Sequence, residues 1–362
     1  MRTVSTSTPL RKRRHLLVRE PDQISAIGII GAGSWGTALA VLLAIQGNET
    51  RLLARDADRA AELENDRENK RYLEGMMFPD AMSVHHEPQR ALSGVDCVII
   101  AVPSVAMREI IEAHVGEIAP DATVVSATKG LEIESGRRMS EVIAENISVR
   151  HGVSVDDAMG NICSLSGPNL SVEIAIGLPA LATAGSVSIE TAERVQMMTS
   201  GERLRVYASD DIIGVELGGT LKNIIAIGAG FIDASGLGSN LKAAYVTRGL
   251  HEITQLGLAL GAKPSTFAGL SGIGDMLATC YSPLSRNYRL GTRLAEGDSV
   301  EEALEYLGQT AEGVPTTRAT LRIARQLGVE MPITETAHKV MFEGVPPTEA
   351  MGDLMRRELQ RE

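Results

Sequence analysis

The chain of 362 residues carries 35 basic and 46 acidic side chains, a net charge of −11, with 44% hydrophobic and only 3% aromatic residues. That length suffices for two domains with separate cores, and the near-average composition excludes wholesale disorder. Six basic and no acidic groups fall in residues 1–19, which leaves 29 basic against 46 acidic groups elsewhere, or −17; such a body repels nucleic acid and anionic membrane, so any phosphate must be held in a local cationic pocket.

The opening MRTVSTSTPLRKRRHLLVREPD is Ser/Thr-rich, then basic, and ends at a proline. No apolar core follows its basic cluster, which argues against a cleaved secretory signal. A basic transit segment and a disordered extension both fit, and residues 1–23 are read as the latter. The next stretch, ISAIGIIGAGSWGTALA, predicts a strand over Ala26–Ile30, a glycine turn and a helix beginning near Trp35. Gly31, Gly33 and Gly36 have the G-x-G-x-x-G spacing: one for the tight turn, one for close approach of a pyrophosphate, one for helix–strand packing. The amides and dipole at the helix start favour phosphate. A plain βα turn is the alternative, which the strand before and the helix after disfavour.

Strands and helices then alternate. Apolar runs predict strands over Thr50–Ala54, Cys97–Val102, Ala122–Ser126, Ile162–Ser166, Leu181–Ala184 and Leu204–Ala208, and continuous β-branched runs suggest a parallel sheet covered on both faces. Past residue 210 no convincing strand remains. Two long small-residue-rich helices are expected near 211–230 and 241–262, then helices at 287–296, 299–307, 315–327, 333–343 and 347–361. The expected division is therefore a dinucleotide-binding domain over 24–209, a helical substrate domain over 210–345 and a helical tail over 346–362, with chemistry in the cleft between the halves. Glu301 with Glu305, and Glu349 with Asp353, read as solvated faces.

No uninterrupted apolar run reaches the ~18 residues of a membrane span. Cys97, Cys163 and Cys280 are far apart without a C-x-x-C pair and read as reduced thiols of a cytoplasmic protein. His85-His86 reads as a pair of exposed loop histidines, so no metal is expected.

At the end of the second strand, Ala54-Arg55-Asp56 stands where an acidic reader of the ribose would mark NAD. Arg55 suits a 2′-phosphate and tilts the expectation toward NADP, though it could instead stack on adenine or be a surface charge; Asp56 is expected to point elsewhere. Lys129, and SGPN from Ser166 to Asn169, follow strands on the ligand side of such a sheet, although Lys129 also fits an ordinary surface lysine. Lys222 has Gly218 and Gly219 one helical turn before it. That pair makes either a smooth face for a ligand or a tight helix contact. Pro283 precedes a helix start with Ser285 placed to cap it, and Arg286 and Asn287 in the first turn form a physically sound phosphate pocket. Asp275 is either a partner of Lys222 or the cap of a helix starting at Met276.

The ordered set GAGSWGTALA, SATKGLE, SGPN, ELGGTLKNIIAIGAG, NLKAAYVTRGL, SGIGDMLATC, SRNYRLG and AEGVPTT resembles the soluble bacterial type of NAD(P)-dependent sn-glycerol-3-phosphate dehydrogenase over about residues 24–345. The resemblance implies an α/β Rossmann-like N-terminal domain followed by an all-α C-terminal domain. It also implies reversible reduction of dihydroxyacetone phosphate by NADPH or NADH, in a homodimer supplying glycerol phosphate for phospholipids. Carried over residue by residue, it makes Lys222 the proton acceptor with Asp275 beside it. Lys129, Gly167 and Asn169 become substrate contacts, Ser285, Arg286 and Asn287 the phosphate clamp, and Gly31, Gly33, Ser34, Trp35, Gly36, Arg55, Lys129, Ser171, Arg286, Thr310 and Glu312 cofactor contacts. Asn169, Ser171 and Thr310 depart from the residues common in the family. Other dehydrogenases of this architecture, such as β-hydroxyacid dehydrogenases or ketopantoate reductases, need no second anion pocket beside Lys129. A non-catalytic nucleotide sensor need not keep Lys222 and Asp275.

Overall fold

The computed structural model describes residues 26–356; the proposed extension at 1–23 and the last residues of the expected terminal helix lie outside this range. Among the described residues, eight strands form one sheet in the order β3-β2-β1-β4-β5-β6-β7-β8. They are β1 (Ala26–Ile30), β2 (Glu49–Leu53), β3 (Met82–His85), β4 (Cys97–Ile100), β5 (Thr123–Ser126), β6 (Ile162–Ser166), β7 (Ala180–Gly185) and β8 (Leu204–Ser209). The order reverses between β1 and β4, so β1, β2 and β4 end side by side, with Ile30 opposite both Leu53 and Ile100. A crevice outside these carboxyl ends is where such sheets bind ligands. Along β1 and β4 alternate residues enter two cores: Ile27, Ile29, Cys97 and Ile99 pack on one face, and Ile30, Val98 and Ile100 on the other. This double burial explains why the strand sequences are continuously apolar.

Two features differ from the sequence reading. β3 was not expected; it is a short edge strand in which only Met82 and Val84 are buried, too brief a pattern to stand out in the sequence. It draws His85 out of the exposed loop assigned to it, half-buries it beside Ser83, and that burial lowers the imidazole pKa. The sheet is also not wholly parallel, because β7 runs antiparallel to β6. The link between them holds only the short helix Ser171–Ala175, and the chain returns from the end where β6 finishes rather than crossing over.

Beyond β8 the described chain is helical, built around the 23-residue helix Ile212–Ala234. Asp211 starts it, accepting from Gly214 N, Lys263 N and Thr266 Oγ1. Buried Glu216 ties it to the sheet side through Arg138 and through the Ser140 amide and hydroxyl. By length and hydropathy this helix would qualify as a membrane span, yet Glu216, Lys222 and Asp233 interrupt its apolar run and 89% of its most apolar window is buried inside the protein.

The Gly218-Gly219 pair is a packing contact. A Cβ on Gly218 would lie 2.5 Å from the Ser271 carbonyl oxygen, and one on Gly219 would lie on the Ser166 hydroxyl. Both glycines thus set how near the helix comes to β6 and to the turn preceding Asp275. Gly218→Ala is expected to cost about 1–3 kcal/mol through overpacking, read by urea unfolding. A loss below about 0.5 kcal/mol would mean that the Ser271 turn yields freely.

Candidate active site

Lys222 lies mid-helix with only 5% exposure. Its ammonium donates to Asp275 Oδ1 and to Thr279 Oγ1. Lys129, just beyond β5, places Nζ 2.7 Å from the other oxygen of the same carboxylate and 3.1 Å from the Gly167 carbonyl. Asp275, 1% exposed, therefore joins two ammonium groups, one from the sheet and one from the helical core. It is not the cap of a helix starting at Met276. It is the first residue of the helix Asp275–Cys280, and a π-helical turn, Leu270–Gly274, delivers it. Thr279 spends its proton on the Asp275 carbonyl at 2.7 Å, which leaves its oxygen lone pairs for Lys222.

Burial is the strongest influence on Lys222 and pushes its ammonium pKa down; Asp275 pulls it back up, and Lys129 lowers it again. The outcome is about 8, against an ordinary 10.5. The amine is mainly protonated at neutral pH but gives up its proton with modest driving force, as a general acid–base group requires.

One residue after Lys222, Asn223 accepts from Asn287 Nδ2 at 2.9 Å, and Asn287 Oδ1 accepts from Gly313 N at 2.9 Å. Ser285 caps the helix Arg286–Glu296 by accepting from Tyr288 N at 3.2 Å. These bonds hold the start of this helix against the residue that follows Lys222 and against the loop before the helix Gly313–Leu327, and the Arg286 guanidinium feels Glu312. Crowding by protein lowers the Arg286 pKa, opposed by Glu312, yet the side chain keeps an exposed flank and guanidinium holds its charge at any working pH. Glu312 is raised by burial, against hydrogen bonds from the Ser104 amide and hydroxyl and the charge of Arg286.

At the sheet crevice, Gly31 has φ +114°, and a Cβ there would lie 2.4 Å from the Ala101 carbonyl. A Cβ on Gly36 would strike the Gly31 carbonyl, whereas one on Gly33 would meet nothing within 4 Å. The helix Ser34–Ile45 begins from Gly33 with no side-chain cap, and Trp35 Nε1 is buried without a hydrogen-bond partner. Open backbone, uncapped amides and an orphaned donor fit a dinucleotide pyrophosphate lying across the turn. Ser34 and Ser171 bring their hydroxyls within 2.5 Å across this groove. Both amide atoms of Asn169, next to Gly167, are buried without partners.

Two expected residues stand apart. Arg55 is exposed and pairs at 2.8 Å with Asp56, whose other oxygen caps the helix Ala57–Asp66. Thr310 is exposed in the loop before Gly313. The sequence reading missed Thr279, Asn223 and Ser104. Thr279 lies four residues after Asp275, a same-face spacing that was readable once a helix was granted; Asn223 and Ser104 carried no comparable signal.

The model of the NAD-dependent glycerol-3-phosphate dehydrogenase N-terminus matches residues 26–192, and that of the C-terminus matches residues 211–352. Glycerol-3-phosphate dehydrogenases [NAD(P)+] of Chlorobium phaeobacteroides and Geobacillus thermodenitrificans are 44% and 42% identical to the chain; each alignment covers 93% of it, and 99% and 96% of the respective relative. The crystal structure of glycerol-3-phosphate dehydrogenase from Coxiella burnetii superposes with a TM-score of 0.85 at 36% identity, over 92% of this chain and 99% of that one. Ketopantoate reductase structures reach a TM-score of only 0.53–0.54 at 15–17% identity, a likeness of fold alone. Together the two family models match most of the chain, and this chain belongs to the NAD(P)-dependent glycerol-3-phosphate dehydrogenase family.

Proposed function

We propose that the protein interconverts dihydroxyacetone phosphate and sn-glycerol 3-phosphate with NAD(P)H. The observation that carries this reading is a buried lysine, held by Asp275 and Thr279, beside a capped helix start bearing Arg286. The bound nicotinamide supplies the hydride exchange. In reduction, the Lys222 ammonium gives a proton to the oxygen that gains charge; in oxidation, the neutral amine removes the hydroxyl proton. Lys129, on the other oxygen of Asp275, helps to orient the reacting oxygen. Arg286 and the first amides of its helix take the phosphate, with Asn287 locked by Asn223 and Gly313. Gly167 and Asn169 line the substrate on the sheet side. Gly31, Gly33, Ser34, Trp35, Gly36, Ser171, Glu312, Thr310 and Arg55 serve the dinucleotide, and Lys129 and Arg286 touch both ligands. A second anion pocket next to Lys129 favours a phosphorylated substrate over the carboxylates of related dehydrogenases. The division near residue 210 fits one half for the cofactor and one for the substrate. The family also suggests a homodimer feeding phospholipid synthesis, and three buried free thiols suit a cytoplasmic setting.

Lys222→Met is expected to lower kcat by about 10²–10⁴, with NADPH affinity by fluorescence quenching nearly unchanged, and circular dichroism must show that Asp275 is tolerated with Lys129 alone. Lys222→Arg should not restore activity, because guanidinium does not release its proton near neutrality. In the parent enzyme, oxidation should accelerate as pH rises through about 8 and Lys222 becomes neutral, while reduction should slow above it. A Lys222→Met enzyme keeping more than about a tenth of kcat would transfer the role to Lys129.

Arg286→Ala should raise KM for dihydroxyacetone phosphate roughly 10- to 150-fold, the equivalent of about 1.5–3 kcal/mol for a charge-assisted contact. Activity on unphosphorylated dihydroxyacetone should barely change. Equal losses on both substrates would remove Arg286 from the clamp.

NADPH is expected to serve at least as well as NADH. Arg55→Ala should weaken NADPH more than NADH, measured as separate KM values; equal weakening would show that Arg55 does not read the 2′-phosphate.

A further inference from the structure

Away from the active site, the helix Gly313–Leu327 carries Arg318, Arg322 and Arg325 at spacings of four and three residues, which places them on one face. With Leu321, Gln326 and His338 of the helix Pro332–Phe342, they line a cavity of about 330 Å³. None of the three guanidinium groups forms an ion pair among the described residues. The nearby carboxylate of Glu343 is engaged by His338 Nδ1 at 3.0 Å. The Arg318 guanidinium carbon lies over the Phe342 ring, 4.0 Å from its centroid. Arg322 reaches the loop after Lys129, where a Cβ on Gly136 would lie 3.2 Å from Nη2, and that Nη2 is buried with no acceptor.

Three like charges on one helix face repel one another. In a chain of net charge −11, no carboxylate among the described residues pairs with this trio. The arrangement makes sense if an anion completes it. Three guanidinium-bearing side chains lining a cavity of this size suit a compact group with several oxygens, and Leu321 as the sole apolar lining residue gives little for a lipid tail or aromatic ring to rest on. We propose that the cavity lined by Arg318, Arg322 and Arg325 is a second anion site, distinct from the substrate clamp, that takes a small multivalent phosphate. One of its lining side chains, Arg322, also reaches the Gly136 loop that follows Lys129.

The test is calorimetric titration of pyrophosphate into Arg286→Ala protein saturated with NADPH, which removes the main cation of the substrate clamp and fills the dinucleotide groove. Saturable binding is expected, weakened at least tenfold by Arg322→Gln and by Arg325→Gln, and falling steeply with salt. Arg325 is exposed, so its variant should keep the parental unfolding midpoint and separates binding from folding. The proposal is overturned if the Arg286→Ala protein binds no pyrophosphate, or if both further substitutions leave binding intact. It is equally overturned if sedimentation shows that the arginine substitutions dissociate a dimer, since the face would then be a contact between copies of the chain. These readouts are independent of turnover, so the catalytic reading stands or falls separately.

Discussion

The carboxylate of Asp275 is the point on which the two halves of the molecule depend. One of its oxygens receives Lys222 from the central helix, and the other receives Lys129 from the end of β5. A buried carboxylate without a partner would be expelled or neutralised. Two partners make the site tolerable and leave it one positive charge in excess. That excess, in a place with little water, is a standing attraction for an anion. It also lies behind the depressed pKa of Lys222, since burial and the second lysine both disfavour the ammonium.

Small residues make this pairing geometrically possible. The central helix approaches its neighbours by backbone contact rather than through side chains: Gly218 faces the Ser271 carbonyl, Gly230 the Tyr288 carbonyl, and Gly291 of the clamp helix the Ile227 carbonyl. A larger residue at these positions would push the clamp helix or the Asp275 turn outward. An error of about 1 Å in placement is costly for proton transfer and phosphate alignment. Glycine is unfavourable in a helix by about 1 kcal/mol against alanine, and the close packing it permits offsets that cost.

Positive charge in this acidic chain is concentrated in a few built places. The glycine turn offers backbone amides, the helix Arg286–Glu296 offers Arg286 at its start, and Lys129 with Lys222 offers ammonium groups braced by one carboxylate. The arginine face of the Gly313–Leu327 helix has the same concentration without the brace. Elsewhere, arginines such as Arg108 and Arg138 are consumed by Glu132, Glu145 and Glu216.

Local features were legible in the sequence because their causes lie within a few residues. The apolar strand before Gly31, the Ser285 cap three residues before Tyr288 and the all-helical texture after 210 each follow from neighbours in the chain. Lys129, Lys222 and Asp275 could be named as residues, but two readings stayed open for each. Only the fold closed them, by bringing positions 146 and 53 residues apart onto one carboxylate. The same holds for the antiparallel turn of β7, for the short edge strand β3, and for Thr279, whose hydroxyl gains its meaning from a lysine on another helix. Periodicity and capping fix what a segment becomes. Which segments meet, and which charges are left unpaired when they do, is decided by burial and packing across the whole chain.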